Sequence, residues 1–430
     1  MIPRSEYTDA AARVGRDKAI WQRPSRLHAS ERSERPDRIG SIDAVRGAAM
    51  LIVCLAHFSG VYLWQTGARD LVNYLAIVGR IASPTFVTVS GMVAGFLAVT
   101  NPRDFGELRI KLLDRGVFLL VVGHALLALT VTPSLPEFVR VYRVSFITDA
   151  IAAAIIVGPS LVTVLSGRAR LSLAASVFCV SWFAVVQWHP GGAALVPLKR
   201  YFVGAIFAQS GESGSPVFAV IPWFAVYLAA TALGEHVGKM YATRGRRGAD
   251  HFLARVGGTC FLVGGLLHGA TMVLRRVDPS VISLDPNLLT FFSIYQKFPP
   301  GPVYLAFFGG FGLVLLAAIL EIERRRALPT LMSRLRQIGR ASLFTFVAQY
   351  GVYVSFIGRL RLPYTPLWPL LFVASIILLA QGAAVWDGCD GNHFLTVGIF
   401  PMLRRRTLRS RSARLAGSNP DLLAAQSSNA

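Results

Sequence analysis

The chain has 430 residues, 53% hydrophobic and 16% charged, with a mean hydropathy of +0.50 and a formal charge of +21. That apolarity excludes an ordinary soluble domain. The excess charge does not indicate a nucleic-acid partner, because Lys and Arg punctuate the gaps between apolar runs instead of gathering on one module.

The runs predict an all-α polytopic membrane protein, a helical bundle of about ten transmembrane helices at 46–64, 80–99, 116–132, 146–166, 169–188, 216–238, 252–274, 302–321, 338–358 and 366–386. Basic residues concentrate in alternate gaps, which orients the chain with both termini cytoplasmic in a cell (inner or plasma) membrane. Residues 1–37 read as a basic disordered tail with no signal-peptide core, 38–400 as the membrane domain and 401–430 as a second basic tail. Cys54, Cys179, Cys260 and Cys389 are too scattered for a disulfide framework or a zinc site, so no metal is expected.

The first span carries the densest chemistry. Asp43 and Arg46 precede eighteen residues, Gly47 to Trp64, without fixed charge, and His57 alone interrupts them with an ionisable group. On a helix His57 stands about 16 Å beyond Arg46 and within roughly 20° of it, so a cation at the cytoplasmic mouth shares a face with an imidazole at mid-membrane. Ionisable groups at that depth face a protein interior or a wet path and mark a site by default.

In the second span Pro84 occupies the first turn, and Gly91 and Gly95 allow close helix approach. A basic loop, Arg103 to Arg115, leads to the third span with His124, a residue that suits a buried hydrogen bond as well as a site. Asp149 opens the fourth span as a helix cap or a substrate contact at the outer mouth. Trp182 and Trp188 suggest interfacial anchoring of the fifth, and Val196 to Gln209 a short re-entrant or interfacial piece. Pro222 and Trp223 imply a kink in the sixth span, and His268 lies in the seventh. Before the eighth, Lys297 is a lone cation among aromatic residues, ligand-facing or snorkelling. The ninth begins at Arg340 and carries Gln349.

The stretch SIDAVRGAAMLIVCLAH resembles the opening of the transmembrane acyltransferases, which include acyltransferase-3 proteins and heparan-α-glucosaminide N-acetyltransferase. ASPTFVTVSG, IPWFAVYLAATALG, KFPPGPVYLAFFGG and IGRASLFTFVAQY follow in the order seen in bacterial relatives of the latter, from about Arg38 to Tyr353. The resemblance implies acyl transfer: Asp43 and Arg46 match the superfamily's Asp and Arg before the first span, and His57 matches the position held by His in the acyltransferase-3 branch, where the heparan-α-glucosaminide branch can carry Asn with a His a little later in the outer loop. It departs from that branch in having no histidine between Tyr62 and Arg80, and Gln349 stands where relatives often carry His. The implied donor is acyl-CoA, a polyanion for which Arg46, Arg115 and Arg340 are the candidate contacts. The implied acceptor is a sugar or glycan, with Lys297, Asp149 and Gln349 as candidate contacts. No permanently bound cofactor is expected. The competing expectation is a proton-coupled transporter or a glycan or lipid flippase that uses His57, His124 and His268 as a proton path.

Overall fold

The computed structural model describes residues 40–132, 134–192, 195–205, 217–277, 290–389 and 391. The two predicted tails lie outside them, and a compact unit begins at Ser41. Among the described residues the architecture is all-α. Nine helical segments are long and apolar enough to span a bilayer: Gly40–Leu63, Arg69–Thr100, Pro102–Val131, Ile147–Val164, Gly167–Gln187, Val220–Val277, Pro302–Arg324, Ser342–Leu360 and Trp368–Gly388. Their outer faces carry Leu262, Leu266, Val273, Leu370, Ile377 and Val385, all exposed as lipid-facing positions must be.

The 58-residue segment Val220–Val277 is a hairpin. Gly245 breaks it at φ 68°, a left-handed conformation that suits a residue without Cβ. The rings of His236 and Phe252 lie 4.8 Å apart, whereas sixteen residues of straight helix would separate them by about 24 Å. Its two arms are the predicted sixth and seventh spans, so the nine segments hold ten apolar arms.

Side-chain contacts sort the arms into two ends. Arg170 at the start of the fifth span meets Glu235 at the end of the sixth, and Ser41 at the start of the first meets Glu323 at the end of the eighth. One buried cluster, including Val45, Met92, Val237, Leu253, Ile319 and Leu335, fills this half, the Arg46 end. A second, including Phe58, Leu127, Trp223, Ile294, Tyr304 and Tyr353, fills the other, the Lys297 end.

Several expectations change. The basic loop at Arg103–Arg115 is helix, continuous with the third span from Pro102, and Arg69–Gly79 is a further helix where a loop was expected. Pro222 does not kink the sixth span. It lies in the first turn, where a missing N–H breaks no helical bond. Trp182 is buried, not anchored in the interface, because its indole N–H donates to the Pro300 carbonyl at 3.0 Å and so ties down the segment before the eighth span. The short piece after the fifth span forms a helix, Leu195–Phe202; residues 206–209 of that prediction lie outside the described ones. The expected close approach at Gly91 and Gly95 is present: a methyl on either would overlap a carbonyl of Tyr227 or Thr231 in the sixth span.

Candidate active site

The first and ninth spans run parallel and meet along their length. Arg46 donates to Ser342 Oγ at 2.6 Å, the His57 ring meets Gln349, and Gln65 donates to the Gly358 carbonyl at 3.0 Å. Arg46 and His57 therefore share the face that the sequence assigned them, and it is turned to the ninth span. Immediately past His57 and Tyr350 both helices widen into π-helical turns, Ser59–Leu63 and Gly351–Ile357. Such turns are frequent at functional sites because they re-aim side chains at little cost in backbone bonding.

The hydrogen bond at His57 decides its tautomer. Nδ1 lies 2.8 Å from Gln349 Oε1, and Gln349 Nε2 donates to the Phe346 carbonyl at 3.2 Å, which fixes the amide with its oxygen toward the imidazole. An amide oxygen only accepts, so Nδ1 carries the proton and Nε2 keeps its lone pair. Among the described residues Nε2 has no hydrogen-bond partner, while the rings of Tyr350 and Phe346 lie 4.7 and 6.4 Å away. Gln349 is buried and touches the imidazole, so its position is that of an orienting residue.

Lys297 lies in the segment before the eighth span, and its charge acts on His57. Its ammonium lies 5.2 Å from the ring centroids of both Phe218 and Phe298. Burial, with the nearby charge of Arg80, lowers the lysine's pKa to about 8. His57 and Gln349 are thus in contact, and Lys297 stands apart from them between Phe218 and Phe298.

The remaining candidates lie elsewhere. Arg340 forms a two-pronged ion pair with Asp387, at 2.7 and 3.1 Å, so much of its charge is already answered. Asp43 approaches Arg46 at 3.9 Å. Arg115 belongs to the third span, where its neighbour Gly116 packs on Ala152 and Ile156 of the fourth. Asp149 is fully buried and serves as a cap: Oδ2 accepts from the Phe146 amide at 2.7 Å and pairs with His124 Nδ1 at 2.8 Å. The other nitrogen of His124 faces the Tyr142 carbonyl at 2.8 Å. Both nitrogens address acceptors, so His124 is doubly protonated against a carboxylate and has no lone pair to offer a proton path. The sequence treated Arg80 only as the edge of a loop. Its single signal was a cation directly before an apolar run.

The family described as heparan-alpha-glucosaminide N-acetyltransferase, catalytic, matches residues 38–263, just over half of the chain, and takes in His57, Asp149 and the sixth span. The chain belongs to that family. It is therefore a multi-pass membrane protein of an acetyltransferase family whose name ties it to glycan acceptors. A search of curated proteins returns no match.

Proposed function

We propose that the protein moves an acetyl or other small acyl group from cytosolic acyl-CoA to a hydroxyl or amine of a sugar or glycan acceptor, across or at the membrane, with His57 as base. The observation that carries this reading is the Gln349-fixed tautomer, which leaves His57 Nε2 with a lone pair at mid-bundle. His57 Nε2 takes the acceptor proton as the acceptor oxygen or nitrogen bonds to the thioester carbon. The carbon–sulfur bond then breaks, and the CoA thiolate recovers the proton from the imidazolium. Both termini are cytoplasmic in this reading, which puts the Arg46 end toward the cytosolic donor.

Arg46 is the donor contact in this scheme, because a guanidinium suits a phosphate and this one stands at the end of the first span that the reading turns to the cytosol, where it also donates to Ser342 Oγ. Arg340, paired with Asp387, is a weaker candidate for the donor than Arg46. Arg46→Ala then weakens acyl-CoA affinity about tenfold to a hundredfold. If the arginine only braces Asp43 and Ser342, the same substitution lowers thermal stability and leaves donor affinity unchanged. Purified protein given acetyl-CoA and a panel of amino sugars, neutral sugars and acidic glycans tests the activity directly by release of the CoA thiol. Failure to release CoA with any acceptor, in protein shown to be folded, would count against the reading.

A further inference from the structure

Among the described residues, the Lys297 end holds two cations that no carboxylate answers. Lys297 sits between the Phe218 and Phe298 rings, and the guanidinium of Arg80 lies 4.8 Å from the Tyr295 centroid. The two repel one another, and among the described residues neither has an acidic side chain within ion-pair distance. Arg80 Nη1 is buried without any hydrogen-bond partner. The ring of His268 lies edge-on to Tyr295, 5.4 Å between ring centroids, and its Nδ1 is buried and unpartnered too. Tyr304 donates to the Arg80 carbonyl at 3.0 Å and so holds the arginine's backbone in place. Half-buried like charges with an unused buried donor are costly to fold around, and an anion shared between them removes both the repulsion and the orphaned N–H.

We infer that Arg80 and Lys297 together bind one carboxylate, phosphate or sulfate group of the substrate beside His57. The placement beside the acyl-transfer centre rests on the proposed function and on a short chain of contacts: Phe218, which borders Lys297, accepts from Ser145 Oγ, and the ring of the next residue, Phe146, lies 6.3 Å from that of Tyr350, which is 4.7 Å from His57. The anion site itself does not rest on that function. The aromatic rings of Phe218, Phe298 and Tyr295 border it, and a pair of cations flanked by apolar rings favours a compact anion over a neutral hydroxyl.

The experiment titrates inorganic phosphate, and separately sulfate, into the purified full chain while thermal unfolding is followed, with chloride at equal ionic strength as the control. Phosphate should raise the midpoint of the parent more than chloride does. Lys297→Met and Arg80→Met should each raise the midpoint of the unliganded protein, because the repulsion is gone, and weaken phosphate binding at least tenfold. Lys297→Arg should keep binding, and it supplies the answer if Arg80→Met fails to fold. A parental phosphate response equal to that of chloride, or one that survives both methionine variants as an adventitious ion only, would overturn the inference. So would a Lys297→Met variant with lowered kcat and unchanged phosphate affinity. A comparison of acetyl-CoA with phosphate-free acetyl-pantetheine locates the source. If the Lys297→Met defect persists with acetyl-pantetheine, the anion belongs to the acceptor; if it vanishes, it belongs to the donor. Phosphate binding without any acyl transfer would leave this site standing and remove only its assignment to the reaction.

Discussion

His57 and Gln349 are 292 residues apart in the chain and 2.8 Å apart in the bundle. Sequence alone exposed the histidine, because an ionisable group in an apolar run carries a cost that demands a reason. It did not expose the pairing, since register between two spans is set by packing along their whole length and no local pattern encodes it. Gln349→Leu tests the tautomer argument: it should cut kcat about tenfold or more while leaving donor affinity unchanged, and Gln349→Glu, which also accepts from Nδ1, should restore much of the loss. Equal kcat in the parent and Gln349→Leu would mean that the amide only fills space. Lys297 gives a pH-dependent prediction. With its pKa lowered to about 8, phosphate affinity should be full below that value and decline as pH rises through it, well before an ordinary lysine would respond. Of the charged and titratable groups, Arg80 and His57 interact with its charge, and Tyr295 and Tyr304 lie at Arg80. Affinity that holds to pH 10 in folded protein would contradict the free ammonium as the ligand contact.

At the level of elements, the spans were legible from apolar length, and the exceptions have physical causes. The helix Pro102–Phe118 is too polar for a hydropathy window, yet Pro at its start and Asp104 in its first turn are ordinary helix openers. Trp182 reads as an interface anchor from its position near a span end, but its N–H finds the Pro300 carbonyl, a partner 118 residues away. Helix pairs are also fastened by buried polar groups whose partners no sequence pattern announces. Arg170, almost wholly buried, is held by Glu235 and by Thr231 Oγ1 at 2.7 Å. Glu235→Leu strands that guanidinium and should destabilise the fold by about 3 to 5 kcal/mol, measured by thermal or denaturant unfolding in detergent. The double variant with Arg170→Met removes the stranded charge and should recover a large part of the loss. The His124 and Asp149 pair obeys the same logic. His124→Phe should lower stability by a similar amount, yet the protein that remains folded should transfer acyl groups at close to the parental rate. A complete loss of turnover in folded His124→Phe protein would restore that residue as a catalytic candidate.

Across the whole molecule, ten apolar arms alternate between two ends, and each described contact between arms agrees with that alternation. Parallel pairs are first with ninth and second with sixth; antiparallel pairs are fifth with sixth and seventh with eighth. The hairpin at Gly245 was legible as a basic gap between two apolar runs, and the alternation of basic gaps predicts an orientation that labelling tests. In a cysteine-free background, Arg247→Cys should be labelled only from the cytoplasmic side and Tyr364→Cys, exposed in the turn between ninth and tenth spans, only from outside. Labelling of both from one side would break the ten-arm alternation. The central claim is that His57 Nε2 moves the proton in acyl transfer, and CoA release by His57→Gln tests it most directly. Glutamine keeps a polar side chain but is no base. The variant should insert, unfold at a temperature near that of the parent and still bind acyl-CoA, with turnover lower by about 10² to 10⁴. Release of CoA by that variant at the parental rate would contradict the claim.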